Sequence, residues 1–575
     1  MKLIQVIVEN FRSIKKCDVN LKEVTAIVGE NNAGKTALLR AINSVFNWSQ
    51  EEEFFLNNTH RYAPRAVTRI TLRFNDIPDK EIYHKYNKDG TLKLTFEYSY
   101  SSKKRKLFFN DQRDLTTTEE FIRNMKEDID YIYIPTHRGN KDLSKDNDSI
   151  FQRIISLYSE KYLESRDNFS SRLSRLADSF KESILNKIEM ELGNKVLSGL
   201  REKYIIEYSS KIDYSVFLDK IDLFFQGKKE DYPVTEYGSG IQSLTVIILY
   251  RLLAHLTKAS VIFGIEEPET NLHPQAQRKL IYSILEERKD DEVQAIITTH
   301  STVIIDELKH EDIILARRVE DKNRGFITKF TQINENFWLR HKIPSRDEEF
   351  IRYKNSEIFF SKYVVIVEGP ADEKVVRYLI RDELKNNIFD VGFLVLNGIP
   401  KMKYPYFLLK ELEMPFSMVL DKDSFVDYSE NNNLEKSRDS NFLPKYSNEL
   451  KIKNDIIDDI WNSKIEKEKV NEALSKSYSQ FFDVCAKKKV FPMTYCLEMD
   501  LVANKKTRES FCELFELDPA DPMIYQKLLR DNKKAIKKEH NLIKVLDDMN
   551  LRDLPYSFKK IRKELLENIN TVIKD

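Results

Sequence analysis

Eight consecutive residues, Gly29-Glu30-Asn31-Asn32-Ala33-Gly34-Lys35-Thr36, have the form GxxxxGK[ST]. Such a stretch wraps its backbone around phosphates, with amide N–H groups turned inward. Gly29 and Gly34 clear side chains from the tightest parts of the wrap. Asn32 lies within the nucleotide-binding loop, Lys35 reaches the β and γ phosphates, and Thr36 meets Mg²⁺. A second set stands far downstream: Glu368-Gly369, and Asp421-Lys422-Asp423, each after an apolar run. Asp421 and Asp423, two apart in an extended segment, point to one side, and Glu368 reaches the same crevice. Oxygen-only ligands suit Mg²⁺ or Mn²⁺, and such a set is suited to holding a divalent metal against a phosphodiester.

Each motif needs an element to hold it. Val24-Thr25-Ala26-Ile27-Val28 reads as the strand before the phosphate loop, and Ala37-Leu38-Leu39-Arg40-Ala41-Ile42 as the helix after it. Residues 67–110 read as a β meander with Asp89-Gly90 as a turn. Residues 150–230 carry a helical pattern rich in Leu, Ile, Lys and Glu. Residues 259–340 return to strand and helix, and a polar linker follows at 346–360. Lys362–Val367, Phe393–Leu396 and Ser417–Leu420 then read as three strands, with the carboxylates at their C-terminal ends, where open α/β sheets place ligands. Residues 424–490 form a polar, mainly helical insertion, and the last 75 residues are helical. The expected domains are 1–345 and 361–575.

The 575 residues are 41% hydrophobic and 32% charged, with net charge zero. Two or three domains with real cores are expected. A neutral chain offers no global attraction to nucleic acid, so DNA contacts must come from local patches. Candidate runs are Lys103–Lys106, Lys487–Lys489, and Lys533-Lys534 with Lys537-Lys538. Cys17, Cys485, Cys496 and Cys512 form no CxxC pair, which suits a reducing cytoplasm and excludes a zinc ribbon. The start lacks a signal-peptide core. The longest apolar run, Leu244–Leu256, is broken by Arg251 and reads as a buried helix, so no membrane span is expected.

Three further motifs refine the nucleotide site. Val261–Ile265 is a buried strand ending in Glu266-Glu267. This is the Walker B position, one carboxylate for the Mg²⁺ shell and one to polarise water. Glu266 stands where Asp is usual, and Glu267 is the expected catalytic base. Tyr237-Gly238-Ser239-Gly240 before a long helix resembles the signature motif of ABC-type ATPases, with its double Gly reduced. Ala295–Thr299 ends in His300, resembling the switch His, and Pro268–Pro274 fills the D-loop position. In that class Ser239 faces ATP held by a second subunit, which implies a homodimer or higher oligomer. About 200 residues separate Thr36 from Gly238. That is too short for an SMC coiled coil, and a moderate helical arm for dimerisation is expected instead.

Glu-Gly on one strand and Asp-x-Asp at the end of a later one resembles the Toprim domain. An ABC-type ATPase followed by Toprim resembles the OLD (overcoming lysogenisation defect) family of nucleases over nearly the whole chain. The fold class implied is α/β: an ATPase head with a helical arm, then a Toprim domain with a helical insertion and a helical C-terminus. The resemblance implies ATP-regulated, metal-dependent DNA cleavage, a role in bacterial defence against phage, and a partner encoded in the same operon. It adds Asp372 and Glu498 as metal ligands and Lys534 as a late lysine at the cleavage centre. The rivals are a DNA-repair ATPase whose Toprim domain binds without cutting, topoisomerase or primase chemistry, and a structural ATPase scaffold. A topoisomerase needs a catalytic Tyr in a separate domain, and no context nominates one. A primase commonly carries a Cys-based zinc module, absent here.

Overall fold

The computed structural model describes all residues except 111–118, 137–149, 191–204, 207, 209–220, 222, 227–229, 257–259, 287–292, 323, 345–346, 348–354, 397, 399–400, 453 and 574–575. Two compact units emerge, Met1–Ala26 with Lys35–Ile304, and Ile27–Gly34 with Ile305–Asp575. Most of the expected linker and the later part of the 150–230 segment lie outside the described residues. Among those described, no helix is long and apolar enough to cross a membrane.

In the first unit, β1 (Lys2–Phe11) pairs antiparallel with β2 (Ile14–Asn20) and with β4 (Val67–Asn75). β3 (Val24–Val28), whose last two residues are counted with the second unit, is buried throughout and leads into the phosphate loop. β4 continues through β5 (Leu92–Ser99) to β6 (Lys104–Phe109), so the expected meander forms. Leu3 falls out of phase with buried Val6 and Val8 because the β1–β4 register shifts between Leu3 and Gln5. One extra residue there flips the facing pattern. β7 (Ile129–Ile134) and β11 (Val293–Thr299) lie parallel on either side of β10 (Ser260–Glu266). A two-residue ladder joins β8 (Phe224–Phe225) to β9 (Tyr232–Pro233). Gly264 interrupts an otherwise apolar strand for a steric reason. A Cβ there would come within 1.9 Å of the Tyr131 hydroxyl, which donates to the Leu39 carbonyl in the helix after the loop.

Helices Ile150–Lys161 and Ser239–Leu256 pack through Ile150, Ile154, Val246, Leu249 and Leu253. Leu163–Phe180 extends the arm. Phe169, Leu176, Phe180, Ile184 and Ile188 on this arm are exposed.

In the second unit, β12 (Ile313–Asp321) and β13 (Gly325–Thr331) form a hairpin. A parallel sheet follows, built from β14 (Tyr363–Val367), β15 (Val391–Val395), β16 (Phe416–Leu420) and, after the insertion, β19 (Val490–Pro492). Its order is β15-β14-β16-β19. The chain therefore moves one way from β14 to β15 and returns to the other side with β16. That reversal is the switch point at which open sheets leave a crevice. Within the insertion, β17 (Val426–Tyr428) pairs with β18 (Tyr446–Leu450) alongside three helices between Asp455 and Ala486. The closing helices, ending in Tyr556–Ile573, share one core with β14, β15 and the helix Pro370–Leu384.

Candidate nucleotide and carboxylate sites

The phosphate loop holds the backbone its motif requires. Gly34 has φ +93°, Asn32 sits at φ +60°, and Gly29 at φ +143°. A Cβ on Gly29 would lie 2.0 Å from the Ala316 carbonyl oxygen, so only glycine fits. Asn32 tolerates the left-handed region better than most residues. Lys35 opens the helix Lys35–Phe46 and is buried, and Thr36 follows it, half-buried.

Around Lys35 the first unit assembles a polar cluster. Lys35 Nζ lies 2.6 Å from His300 Nε2. Burial, then the Lys35 charge, pushes the His300 imidazole down to about 4. The ring is therefore neutral at pH 7 and its Nε2 lone pair accepts from the ammonium. His300 Nε2 also lies 3.7 Å from Glu267 Oε1. Glu269 holds the strand end from below, accepting from His300 N at 2.6 Å and Thr299 Oγ1 at 2.9 Å.

Glu266 and Glu267 differ in setting. Glu266 is buried, and both its oxygens accept hydrogen bonds. Tyr133 O–H donates to Oε1 at 2.6 Å, and Thr136 donates to Oε2 through its hydroxyl at 3.2 Å. Glu267 is more open and sits at φ +39°, strained for a residue with a Cβ. The bond from Glu267 N to the Thr298 carbonyl, 2.9 Å, holds that backbone in place. Ser239 is exposed at the start of its helix. Neighbouring Gly240 has no room for a Cβ, which would lie 2.3 Å from the Asn271 carbonyl oxygen. The small residue in the signature-like segment thus lets the D-loop segment pack against it.

In the second unit, β14 and β16 are direct neighbours, with Val367 opposite Val419. Glu368 follows the first and Asp421 the second. Glu368, Asp421 and Asp423 each offer an oxygen within 4.8 Å of the other two. Glu368 Oε1 accepts from Asp421 N at 2.9 Å and from the Ser424 hydroxyl. Tyr428 O–H donates to Asp423 Oδ2 at 2.7 Å, and Lys451 Nζ donates to the Asp423 carbonyl.

Three buried oxygens, Asp372 Oδ1, Asp421 Oδ1 and Asp423 Oδ1, have no hydrogen-bond partner. Buried carboxylate oxygens normally find donors, and a group of them without any fits a divalent cation. The charge balance agrees. Burial, then the neighbouring Glu368, drives the Asp421 carboxyl well above its ordinary range. Burial lifts Asp372 to about 7 and raises Glu368 as well.

Glu498 and Lys534 are placed differently from that trio. Glu498 is buried, with Lys533 Nζ 2.8 Å from one oxygen and Lys537 Nζ 2.9 Å from the other. Burial would raise its carboxyl, but Lys537 and Lys533 outweigh that and lower it. Asp372 feels the Lys537 charge too, so Glu498 joins the site through lysines. Lys534 is exposed between those two. Sequence reasoning singled out Lys534 and gave Lys533 and Lys537 no partner. Their i, i+4 spacing beside an acidic residue on another helix was the available signal. Ser424, Tyr428 and Tyr133 carried none, since isolated hydroxyl residues do not announce their partners.

Residues 1–305 match the family model described as AAA ATPase domain. The chain belongs to that family. Residues 359–423 match the Overcoming lysogenization defect protein-like TOPRIM domain, a span that ends on Asp423. An ATPase joined to a TOPRIM enzyme domain, on an α/β fold with a helical C-terminal part, is thereby established. Among curated relatives, the OLD nuclease of Thermus scotoductus is 25% identical over 72% of this chain and 81% of its own. Endonuclease GajA of Bacillus cereus HuB5-5 is 23% identical over 74% of each chain. The Old nuclease of Escherichia phage P2 is 26% identical over 66% of this chain and 70% of its own. Among solved structures, an SMC head bound to the C-winged helix domain of ScpA is 14% identical and covers 59% of this chain and all of its own, with a TM-score of 0.39.

Proposed function

We propose that this protein is an ATP-regulated, divalent-metal-dependent DNA endonuclease that works in bacterial defence against phage, in the cytoplasm and as a homo-oligomer. The observation that carries the nuclease reading is the Glu368/Asp421/Asp423 cluster with its unpartnered buried oxygens at the β14–β16 switch point. Relatives named as nucleases support DNA as substrate. The defence role rests on the resemblance to the overcoming lysogenization defect family, whose TOPRIM model matches residues 359–423. Four free cysteines suit a reducing compartment.

At the nucleotide site, Lys35 and the loop amides hold the β and γ phosphates, with Thr36 and Glu266 on the Mg²⁺ side. Tyr133 and Thr136 orient Glu266. Glu267 takes the proton of the attacking water, and neutral His300 donates an N–H to the γ-phosphate as Lys35 turns to it. Ser239 of a second copy closes the nucleotide from outside. The exposed Phe169–Ile188 stripe on the helical arm supports an association between copies.

At the carboxylate site, Glu368, Asp421 and Asp423 would hold Mg²⁺ or Mn²⁺, with Asp372 behind them. The bound ion supplies a water of lowered pKa and a Lewis acid against the phosphodiester. Ser424 and the Asp421 amide fix Glu368, and Tyr428 fixes Asp423. Lys533 and Lys537 keep Glu498 ionised and bring positive charge to the crevice edge, where the scissile phosphate and Lys534 would meet. Nucleotide state controls access of DNA to this crevice, and a partner encoded in the same operon acts beside the protein.

The test is supercoiled plasmid with purified protein, Mg²⁺ or Mn²⁺, and an ATP titration. Cleavage should need the metal, change with ATP, and vanish in Asp421→Ala. Equal nicking by Asp421→Ala and parent would sink the nuclease reading in favour of a DNA-binding ATPase that does not cut.

A further inference from the structure

A cleft of about 610 Å³ opens in the first unit at the far end of the helix Lys35–Phe46. Twelve residues of helix put it roughly 16 Å from Lys35, well clear of the phosphate loop. Its walls carry Lys103, Arg105, Arg123 and Lys126 against one carboxylate, Glu52. Phe46 and Leu107 give it an apolar floor.

The cations are not equivalent. Lys126 already serves Asn47 Oδ1 at 2.7 Å and lies 3.8 Å from Asp130. Arg105 is placed by stacking, its guanidinium carbon 4.7 Å from the centroid of the Trp48 ring. Trp48 in turn packs on Phe96 and Tyr98, at 5.7 and 5.8 Å. A guanidinium held over an indole has lost part of its rotamer freedom already, so it binds a phosphate with less entropy loss than a free side chain. Lys103 and Arg123 are exposed at the rim.

The charge continues past the cleft. β6 is the edge strand, and Lys104 and Lys106 are exposed along it. Lys103 and Arg105 line the cleft, while Lys104 and Lys106, alternating with them, face the other side of the strand. A small anion would use two or three of these cations at one point. A linear polyanion has charges enough to meet Lys103, Arg105 and Arg123 of the cleft together, with further phosphates left for the edge strand.

We propose that this cleft and edge strand grip the phosphodiester backbone of DNA, as an anchor separate from the carboxylate cluster. The inference rests on the reading of DNA as substrate. It assigns the grip no sequence preference, because phosphate contacts position a duplex without reading it.

The experiment uses the full chain and a fluorescent duplex in EDTA, with affinity followed against salt. In Lys103→Gln/Arg105→Gln/Arg123→Gln, affinity should fall at least about tenfold. The slope of log K against log salt should drop by about 2–3, since each lost phosphate contact removes about 0.9. ATP turnover without DNA should stay at the parent rate. Arg105→Lys, which keeps the charge, should retain most of the slope. If the triple variant is misfolded by its melting curve, Lys103→Gln/Arg123→Gln, both at the rim, should still lose about 1.8 in slope. Parent-like affinity and slope in the folded variants overturns the anchor, as does tight inorganic triphosphate binding at the cleft that leaves DNA affinity unchanged. If Asp421→Ala cuts the duplex like the parent while the triple variant loses binding, the nuclease reading fails and the anchor stands. If Asp421→Ala abolishes cutting and the triple variant binds normally, the anchor fails alone. A parent that binds no duplex at any salt overturns both.

Discussion

The Lys35 ammonium and the His300 imidazole share a hydrogen bond of 2.6 Å, and burial with that neighbouring charge brings His300 down to about 4. Phosphate-loop lysine and strand-end histidine are therefore directly paired. The pair also sets the direction of a pH effect. An unfolded chain protonates this histidine near 6.5, the folded chain only near 4. Between those values the unfolded state binds more protons, so this site costs stability as pH falls from about 6.5 to 4 and costs nothing above. His300→Gln should flatten the fall in melting temperature across that window. An unchanged acid limb would show that His300 is protonated with Lys35 turned elsewhere.

The carboxylate cluster has the opposite sign. Asp372, lifted to about 7, holds a proton when folded that it releases near 3.8 when unfolded. Metal-free protein should then lose stability as pH rises from about 4 to 7, since the folded state binds the extra proton. A divalent cation replaces that proton, so Mg²⁺ or Mn²⁺ should restore the melting temperature most strongly at pH 7–8. Asp421→Asn should stabilise the metal-free protein at pH 7 by at least about 1 kcal/mol, because Asn needs no bound proton to be neutral in that buried position, and should lose the metal response. Thermal melts with EDTA or Mn²⁺ across pH read both effects. A variant less stable than the parent in EDTA would mean that the carboxylates already have donors.

Glu498 with Lys533 and Lys537 gives a different test. Only 2% of the Glu498 side chain is exposed, so its charge depends on the two lysines. Lys537→Met leaves one partner for a buried carboxylate and should cost about 2 kcal/mol in urea unfolding, below the full penalty of stripping a buried pair. Lys534→Met, on an exposed neighbour, should stay within about 0.5 kcal/mol. If the two variants unfold at the same urea concentration, the ion pairs contribute nothing.

The chemistry of this chain was more legible than its geometry. The phosphate loop announces itself because glycines, lysine and threonine sit at fixed offsets in one continuous segment. Glu368 and Asp421 are also visible, each at the end of an apolar run. Their adjacency is not, because the sheet order β15-β14-β16-β19 puts β16 beside β14 although β15 intervenes in sequence. The bulge after Leu3 was hidden for a related reason. Alternation survives a one-residue slip, and only the partner strand reveals it. The 424–490 insertion looked polar and helical, and its β17–β18 hairpin escaped notice because β17 is only three residues long and β18 is mostly polar. Side-chain donors such as Ser424 depend on tertiary placement alone.

Tyr428 offers the sharpest separation of positioning from metal binding. Its hydroxyl donates to Asp423 Oδ2 at 2.7 Å, and its ring stacks on Tyr446 at 5.2 Å. Lys422 Nζ sits 4.8 Å from the Tyr446 centroid, so the hairpin and the carboxylate loop are joined through aromatic faces. Tyr428→Phe keeps the stack and removes one hydrogen bond. Asp423 should then hold its ion with a similar affinity but a looser angle. The expected result is a fall in the cleavage rate of about tenfold, with the half-saturating Mn²⁺ concentration changed less than about threefold. Tyr446→Ala, by contrast, removes the support under both groups and should lower rate and metal affinity together. If Tyr428→Phe instead shifts metal affinity and leaves the saturated rate intact, the hydroxyl tunes the ligand's charge and does not position it.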